Sequence, residues 1–326
     1  MLLKKNLILN FLKPIVEFEY KLKQLNTILM FYKNINLLHF LKKDIKQLKT
    51  NLYELRNKIF QSITPLQRLD LVRQSNRPTT LDYISKIINN GIELYGDRGG
   101  NNDLAMVGGI GYFNLIPVLF IGHQRGKNTK DNVIRNFGMA SPGGYRKALR
   151  LMKHANQFNF PILTFIDTPG AWAGIEAEKL GQGEAIALNL REMFSLEVPI
   201  ICTIIGEGGS GGALGIGIGD KILMLEYSIY TIATPEACAA ILWKDSTKSP
   251  AAAESLKITS SDLKLIGIID DIIKEPIGGS QFDPYRASIY LKNQLSLNLN
   301  ILISFSRKKR KKLRYIKFRK LGTFYE

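Results

Sequence analysis

The chain has 326 residues, 45% hydrophobic and 22% charged, with two cysteines and a formal net charge of +17 at pH 7. This length and apolar content suit one large or two ordinary folded domains and exclude a disordered, collagen-like or coiled-coil chain. No apolar run approaches the ~18 residues of a membrane helix, and two cysteines cannot build a disulfide framework or a four-thiolate zinc site. We therefore expect a soluble, intracellular globular protein.

The positive charge is concentrated at the two ends of the chain. Residues 1–75 and residues 307–326 each carry a net charge of +9, whereas residues 76–306 carry −1. A domain that binds nucleic acid is expected to be basic on its folded surface, so we expect neither a nucleic-acid partner nor a membrane partner for the middle of the chain. The basic tail, Arg307–Lys320, is either a solvated extension or a segment that binds RNA or an acidic partner.

The first part of the chain is predicted to be helical. Apolar residues recur at three- and four-residue spacing between Pro14 and Phe60. Pro78 precedes the sequence Thr79-Thr80-Leu81-Asp82, which is typical of a capped helix start. Three parts are predicted: an N-terminal helical extension at 1–75, a main domain at 76–300 and a basic C-terminal tail at 301–326.

The middle of the chain alternates between short apolar segments and helical segments. Strands are predicted at Met106–Ile110, Val118–Gly122, Ile162–Ile166, Pro199–Ile205, Ile222–Leu225 and Ser228–Ala233. Helices are predicted at Tyr145–Gln157, at Gly183–Phe194, from Pro235 onward and at Pro284–Asn300. Almost wholly apolar strands that alternate with helices indicate a buried, mostly parallel sheet, and therefore the α/β fold class.

Two glycine-rich loops follow neighbouring predicted strands. The first, Asp167–Gly174, reads Asp-Thr-Pro-Gly-Ala-Trp-Ala-Gly, and the second, Gly206–Ala213, reads Gly-Glu-Gly-Gly-Ser-Gly-Gly-Ala. Glycine at the end of a buried strand lets main-chain N–H groups face a ligand, and such groups bind anions or developing oxyanions. No acid–base pair or nucleophile accompanies them, so the residues predict a site of backbone donors. The alternative is that both loops only permit tight turns.

Three enzyme motifs match these loops in form only. Gly206, Gly208 and Gly211 have the spacing of a dinucleotide-binding fingerprint, but the glycine-rich sequence after them disfavours the long helix of that fold. Ser210 lies in a nucleophile-elbow pattern, but all three histidines precede it, which is the wrong order. The sequence of Asp167–Gly170 resembles a GTPase tetrapeptide, but the chain has no phosphate-binding P-loop.

His123 follows a predicted strand and is a weaker candidate for a functional residue. A single histidine is more often structural than catalytic, so a structural histidine is the alternative interpretation.

A set of short motifs extends along the chain. They are Leu94–Arg98, Val107–Ile110, Gly122–Gly126, Arg135–Met139, Gly144–Met152, Thr164–Ala171, Ala185–Ala187, Asn189–Met193, Gly206–Ala213, Ile241–Lys244 and Glu275–Gly279. In this combination the chain, from about Pro14 to the tail, resembles the carboxyltransferase alpha subunits of the multi-subunit acetyl-CoA carboxylase of bacteria and plastids. It departs from that family at Gly143, where Glu is usual, and at Trp172-Ala173, where Tyr-Pro is usual.

The resemblance implies a crotonase-like (ClpP/crotonase) superhelix of β-β-α units, with an N-terminal helical extension and a C-terminal helix. It implies an enzyme that, with a beta subunit, transfers the carboxyl group from carboxybiotin to acetyl-CoA and forms malonyl-CoA for fatty acid biosynthesis. The site residues that it implies are Gly211 and Gly212 as backbone oxyanion donors, Gly208 and Gly209 beside them, and Gly170 and Ala171 for carboxybiotin. A catalytically inactive crotonase-like assembly subunit is the alternative, motivated by the two departures.

The resemblance also implies partners and a compartment. The partners are a zinc-ribbon beta subunit, the biotin carboxyl carrier protein and biotin carboxylase, with alpha and beta in an α2β2 heterotetramer. Neither a metal nor a covalently bound cofactor is expected on this chain, because the carrier protein presents carboxybiotin and the beta subunit mainly holds acetyl-CoA. A composition rich in Ile, Lys, Asn and Leu, without a transit peptide, favours the plastid (chloroplast) stroma, with a bacterial cytoplasm as the alternative.

Overall fold

The structure is a computed structural model that describes residues 9–31 and 35–322. The chain divides into two compact units, Met1–Thr64 and Pro65–Glu326. The division into an extension, a main domain and a tail at residues 75 and 300 stays a prediction.

The first unit is a pair of helices. They are α1 (Lys13–Phe31) and α2 (Ile35–Gln61), preceded by a 3-10 turn at Asn10–Leu12. The buried apolar side chains are Ile15 and Leu22 on α1 and Ile45, Leu52 and Phe60 on α2. Arg56 on α2 forms an ion pair with Glu19 on α1. The predicted helical character of this part of the chain is therefore confirmed over the residues described.

The second unit is a mixture of helices and strands. Its helices are α3 (Pro65–Val72), α4 (Thr80–Ile87), α5 (Thr129–Ile134), α6 (Pro142–Phe158), α7 (Ile175–Lys179), α8 (Gln182–Ser195), α9 (Ser210–Leu214), α10 (Pro235–Trp243), α11 (Ser249–Ser255), α12 (Ser260–Leu265), α13 (Pro284–Ile303) and α14 (Arg307–Arg319). Its strands are β1 (Asn89–Glu93), β2 (Met106–Phe113), β3 (Ile116–His123), β4 (Ile162–Thr168), β5 (Ile200–Gly209), β6 (Lys221–Leu225), β7 (Ile229–Thr231) and β8 (Asp271–Ile273). Each strand predicted from an apolar segment is present, whereas the short strands β1 and β8 were not predicted.

The strands form one mixed sheet in the order β1-β2-β3-β4-β5-β6-β8, and β7 also pairs with β5. The pairs β1–β2 and β2–β3 are antiparallel, and every pair from β3 onward is parallel. Asn114 and Leu115, with φ of 46° and 67°, connect β2 to β3. Two consecutive left-handed residues are the geometry of a tight hairpin turn. The predicted, mostly parallel sheet is confirmed.

The two faces of the sheet are covered by different helices. On β4, Ile162 and Ile166 pack in a cluster with residues of α6 and α8. Leu163 and Phe165 point the other way and pack with residues of α4 and α13. Because neighbouring side chains of a strand face opposite sides, a wholly apolar strand requires apolar cover on both. The result is a helix–sheet–helix sandwich in which both faces of the central strands are buried.

The basic tail is a docked helix rather than a solvated extension. The fully buried Arg314 of α14 donates two hydrogen bonds to the Asp220 carboxylate, at 2.9 and 2.8 Å. The same guanidinium donates to the main-chain carbonyls of Met193, Leu196 and Val198. The solvated alternative is therefore wrong for α14, and binding of RNA or an acidic partner by its exposed lysines stays a hypothesis.

None of the helices that the structure describes has the length and apolar content needed to cross a membrane.

Candidate functional site

The two glycine-rich loops lie side by side at the carboxyl ends of neighbouring parallel strands. The first begins with the last two residues of β4, and the second consists of the end of β5 and the start of α9. Thr168 is paired to Gly208 across an irregularity in the register. The carboxyl ends of parallel strands are the usual place for ligand sites in open α/β sheets. The sequence predicted that the two loops follow adjacent strands, and the parallel pairing of β4 with β5 brings them together.

The main chains of the two loops approach so closely that side chains are excluded. A Cβ atom on Gly212 would lie 2.4 Å from the carbonyl carbon of Gly170 and 2.5 Å from the nitrogen of Ala171. A Cβ atom on Gly209 would lie 2.0 Å from the carbonyl oxygen of Pro169. The predicted donor glycines lie within Gly208–Gly212, called the donor segment below. The structure therefore brings Gly209 and Gly212 of this segment into close main-chain contact with the first loop, which contains the predicted carboxybiotin residues Gly170 and Ala171.

The other two predicted donor-segment glycines have different surroundings. Gly208 lies in β5, where a Cβ atom would come 2.8 Å from the ring of Tyr230. Gly211 is open, because the nearest atom to a Cβ there is the Ile186 methyl group at 3.9 Å. The requirement for glycine thus differs between adjacent positions of one motif.

The donor segment turns sharply at Ser210. This residue has a left-handed φ of 47°, which is uncommon for a residue other than glycine, and its side chain is exposed. Gly211 and Gly212 follow in the first turn of α9, where main-chain N–H groups have no acceptor inside the helix. These two N–H groups are therefore available to an external acceptor.

Arg125 bridges the two loops from a third segment. Its Nη2 donates to Oε2 of Glu207 at 2.8 Å, and its Nε lies 3.1 Å from Oδ1 of Asp167. Asp167 and Glu207 are both buried, and Oδ1 of Asp167 also accepts from the Glu207 N–H at 3.0 Å. Arg73 donates to the other Glu207 oxygen at 2.7 Å. A buried network of charges therefore fixes the first loop to the second.

The two buried carboxylates respond differently to this network. Burial raises the pKa of Asp167, and the nearby Arg125 charge offsets this only in part. Burial also opposes ionisation of Glu207, but the hydrogen bonds and charges of Arg73 and Arg125 outweigh it and lower the pKa of that carboxyl. Glu207 is thus held as an anion between two guanidinium groups.

Tyr145 holds the donor segment from the α6 side. Its hydroxyl donates to the carbonyl oxygen of Gly212 at 3.1 Å, and its ring lies against Gly215, where a Cβ would come within 2.5 Å. Asn189 on α8 donates to the carbonyls of Tyr145 and Gly215, at 3.1 and 2.9 Å. His123 is fully buried, with its ring edge-to-face with that of Tyr145 at 6.4 Å.

The sequence interpretation did not identify Arg125, Tyr145 or Glu207 as site residues. The available signal was their position: Arg125 lies just after β3, Glu207 lies inside the second glycine loop, and Tyr145 lies in the first turn of α6, directly after Gly143-Gly144. Their roles depend on contacts between segments far apart in sequence, which periodicity does not report.

The two departures from the resembled family have different surroundings: Gly143 is buried, whereas Trp172 is half-buried and Ala173 is exposed. A Cβ atom on Gly143 would lie 2.7 Å from the Cβ of Asn101, so Gly143 gives room to a neighbouring loop. The Trp172 N–H donates to the carbonyl of Ala140 at 3.1 Å. Neither of these two contacts involves Gly170 or Gly212.

A groove on the outer side of α6 is lined by cations, including Arg146, Arg150 and Lys153. Arg146 already pairs with Asp97 and Lys153 with Glu192, and Arg150 donates to the carbonyl of Gly96. The cations of this groove therefore have partners within the chain.

Among the residues that the structure describes, no group of three His, Cys, Asp or Glu side chains could hold a metal ion.

Comparison with known proteins gives closely similar relatives. Residues 8–322 match the family model described as acetyl co-enzyme A carboxylase carboxyltransferase-like. An acetyl-coenzyme A carboxylase carboxyl transferase subunit alpha from Gracilaria tenuistipitata var. liui is 66% identical over all of this chain and 98% of its own length. The protein of the same name from Antithamnion sp. is 67% identical over the full length of both, and that from Crocosphaera subtropica is 57% identical over 99% and 96%.

Solved structures show the same fold at low sequence identity. A transcarboxylase 12S structure matches with a TM-score of 0.57 and 17% identity, over 68% of this chain and 41% of that one. A Pseudomonas malonate decarboxylase MdcD-MdcE hetero-dimer matches with a TM-score of 0.53 and 16% identity, over 68% and 91%. The predicted crotonase-like α/β fold is confirmed. On the family match and the identities above, this chain belongs to the acetyl-coenzyme A carboxylase carboxyltransferase alpha subunit family.

Proposed function

We propose that this chain, with a beta subunit, transfers a carboxyl group from carboxybiotin to acetyl-CoA and forms malonyl-CoA for fatty acid synthesis. The observation that carries the proposal is the close approach of the Gly212 main chain to Gly170 and Ala171, which supports a site shared by the proposed donors and the proposed carboxybiotin residues. The family to which the chain belongs supports the same reaction.

The reaction needs stabilisation of charge more than an acid or a nucleophile. The bond between the carboxyl carbon and the ureido nitrogen of biotin breaks, and a bond to the methyl carbon of acetyl-CoA forms. The proton that leaves the methyl carbon goes to the ureido nitrogen. Negative charge develops on the ureido carbonyl as the first bond breaks, and the Gly211 and Gly212 N–H groups would donate to that oxygen. One such preorganised donor contributes about 3–4 kcal/mol to a transition state.

Gly170 and Ala171 would form the wall against which carboxybiotin lies, with Gly208 and Gly209 shaping the turn behind the donors. Carboxybiotin would arrive on the biotin carboxyl carrier protein, and acetyl-CoA would be held mainly by the beta subunit. No covalently bound cofactor is proposed for this chain. The charge network of Arg125, Asp167 and Glu207 would keep both loops in place through the reaction.

An exposed apolar surface supports a protein partner. Ile241, Leu242 and Trp243 at the end of α10 are 66%, 65% and 39% exposed, and Ile232 nearby in sequence is 79% exposed. Apolar side chains of this size that cluster on a surface usually mark an interface. The proposed partner is a zinc-ribbon beta subunit in an α2β2 assembly that works with biotin carboxylase and the carrier protein.

The proposed location is the plastid stroma, with a bacterial cytoplasm as the alternative. Relatives at 66–67% identity come from the red algae Gracilaria and Antithamnion, and a cyanobacterial relative is 57% identical. This order of identities supports the plastid.

The test is reconstitution of the purified chain with its beta subunit. We expect the pair, but neither subunit alone, to carboxylate free biotin with malonyl-CoA as the donor. A correctly assembled pair without this activity would contradict the proposal and favour the inactive assembly subunit. That alternative is less consistent with the structure, because Gly143, one of its two motivations, occupies a packing position against Asn101.

A further inference from the structure

His123 is a buried histidine whose ring nitrogens make no well-formed hydrogen bond. It ends β3 and is 0% exposed, and neither Nδ1 nor Nε2 has a partner of good geometry among the residues that the structure describes, although the Gly212 main chain lies close to the ring. Its main chain is fixed, because its carbonyl accepts from the Thr80 hydroxyl. Buried polar atoms are nearly always hydrogen-bonded, and an exception at a fixed position calls for a functional explanation.

The ring lies beside the part of the donor segment that Tyr145 already holds. It is edge-to-face with the Tyr145 ring, and the Gly212 main chain is near enough to favour its charged form slightly. Burial and then the Arg125 charge dominate, and they lower the pKa of His123 to about 3. The imidazole is therefore neutral at physiological pH, with one N–H to donate.

The Gly212 carbonyl can accept a second hydrogen bond. A carbonyl oxygen has two lone pairs, and the Tyr145 hydroxyl uses one at 3.1 Å. Hydrogen bonds in a free enzyme are often long or unmade and tighten only when substrate is bound. A neutral imidazole is suited to this task because a second cation there would be repelled by Arg125.

We propose that His123 is a positioning residue that donates to the Gly212 carbonyl once carboxybiotin is bound. With Tyr145 it fixes the peptide that follows Gly212, and this orients the Gly211 and Gly212 N–H groups towards the ureido oxygen. The inference rests on the proposed function, because the donor segment is assigned there.

The test uses the chain assembled with its beta subunit and two variants, His123→Phe and His123→Gln. The Phe variant keeps the ring volume and removes both nitrogens, while the Gln variant restores a neutral N–H donor. We expect His123→Phe to lower kcat for biotin carboxylation by about tenfold or more, with KM for biotin and malonyl-CoA unchanged. We expect His123→Gln to recover most of that loss.

Stability separates positioning from a structural role. Because the His123 nitrogens make no well-formed hydrogen bond to the described residues of the free chain, His123→Phe is expected to leave the urea unfolding midpoint unchanged or to raise it. Tyr145→Phe should lower kcat less in the His123→Phe background than in the wild type, since both groups act on one carbonyl. Tyr83→Phe, a buried tyrosine in the opposite core cluster, is the matched control and should leave kcat unchanged.

Three results would overturn the inference: an unchanged kcat in His123→Phe, a change confined to KM, or a loss of stability or assembly without rescue by His123→Gln. An inactive wild-type pair would instead contradict the proposed function. The two failures are therefore distinguishable.

Discussion

Arg125 and Glu207 lie 82 positions apart in sequence, and Nη2 of the first donates to Oε2 of the second at 2.8 Å. The same guanidinium reaches Asp167 of the other glycine loop at 3.1 Å. One side chain from the end of a third strand therefore ties together the two loops whose main chains meet at Gly212 and Gly170. The donor site is built by this bridge as much as by the glycines.

Replacing Arg125 by Met should destabilise the chain strongly. The substitution removes the ion-pair partner of the buried Asp167 and one of the two cations that hold Glu207. Breaking a buried ion pair in this way typically costs about 3–5 kcal/mol. Urea unfolding measures the change. Arg125→Lys should recover only part of it, because an ammonium group does not reproduce the fork of a guanidinium.

The control for Arg125 is Lys179, whose ion pair with Glu176 is exposed on both sides. Lys179→Gln should change the free energy of unfolding by less than about 1 kcal/mol. Equal effects of Arg125→Met and Lys179→Gln would show that the bridge does not stabilise the fold.

Two adjacent glycines should differ in their tolerance of a methyl group. Gly212→Ala places a Cβ within 2.5 Å of the first loop, so we expect the loops to separate and kcat to fall by about a hundredfold, the scale of a lost oxyanion donor. Gly211→Ala meets nothing nearer than 3.9 Å and should retain kcat within a few fold. Steady-state kinetics of the two assembled variants check this. If Gly212→Ala were as active as Gly211→Ala, the contact between the loops would not matter for transfer.

Arg314 should anchor the tail helix to the rest of the second unit. Arg314→Met removes a fully buried guanidinium and leaves Asp220 without its bidentate partner, so we expect a loss of about 3–5 kcal/mol in the free energy of unfolding. Lys311→Met, on the exposed side of the same helix, should have almost no effect. An Arg314→Met variant with the same free energy of unfolding as the wild type would show that Arg314 does not anchor α14.

The low pKa of His123 predicts a specific dependence of stability on pH. The folded-state pKa is about 3 and the ordinary value is 6.5, so below pH 6.5 the unfolded chain binds a proton that the folded chain does not. Stability should therefore fall as the pH falls from about 6.5 towards about 3, by about 1.4 kcal/mol per pH unit well below 6.5.

Urea unfolding of the wild type and His123→Phe between pH 7 and pH 5 isolates this contribution, because the other titrating groups are shared. We expect the wild type to lose more stability than the variant over that interval. Parallel pH profiles would show that His123 is protonated as readily in the folded chain as in the unfolded one.

Much of the fold was predictable because it depends on local patterns. The apolar segments that became β4, β5 and β6 and the capped start of α4 are encoded by neighbouring residues. The short strands β1 and β8 carry too little pattern to be recognised alone, and they form through pairing with β2 and β6. The helix α14 was missed because nine of its 13 residues are Lys or Arg, and its Arg314 is buried through contacts with Asp220 and with main-chain carbonyls that are distant in sequence.

The sequence by itself determined the α/β class, the family and the two glycine-rich loops, because these are written in residue types and short spacings. Tertiary structure alone decided that Gly212 cannot carry a side chain whereas Gly211 can, that Arg125 joins the loops, and that His123 is buried with no well-formed hydrogen bond to the residues described. The physical reason is that these properties arise from close approach and desolvation between distant segments, and neither exists until the strands are side by side.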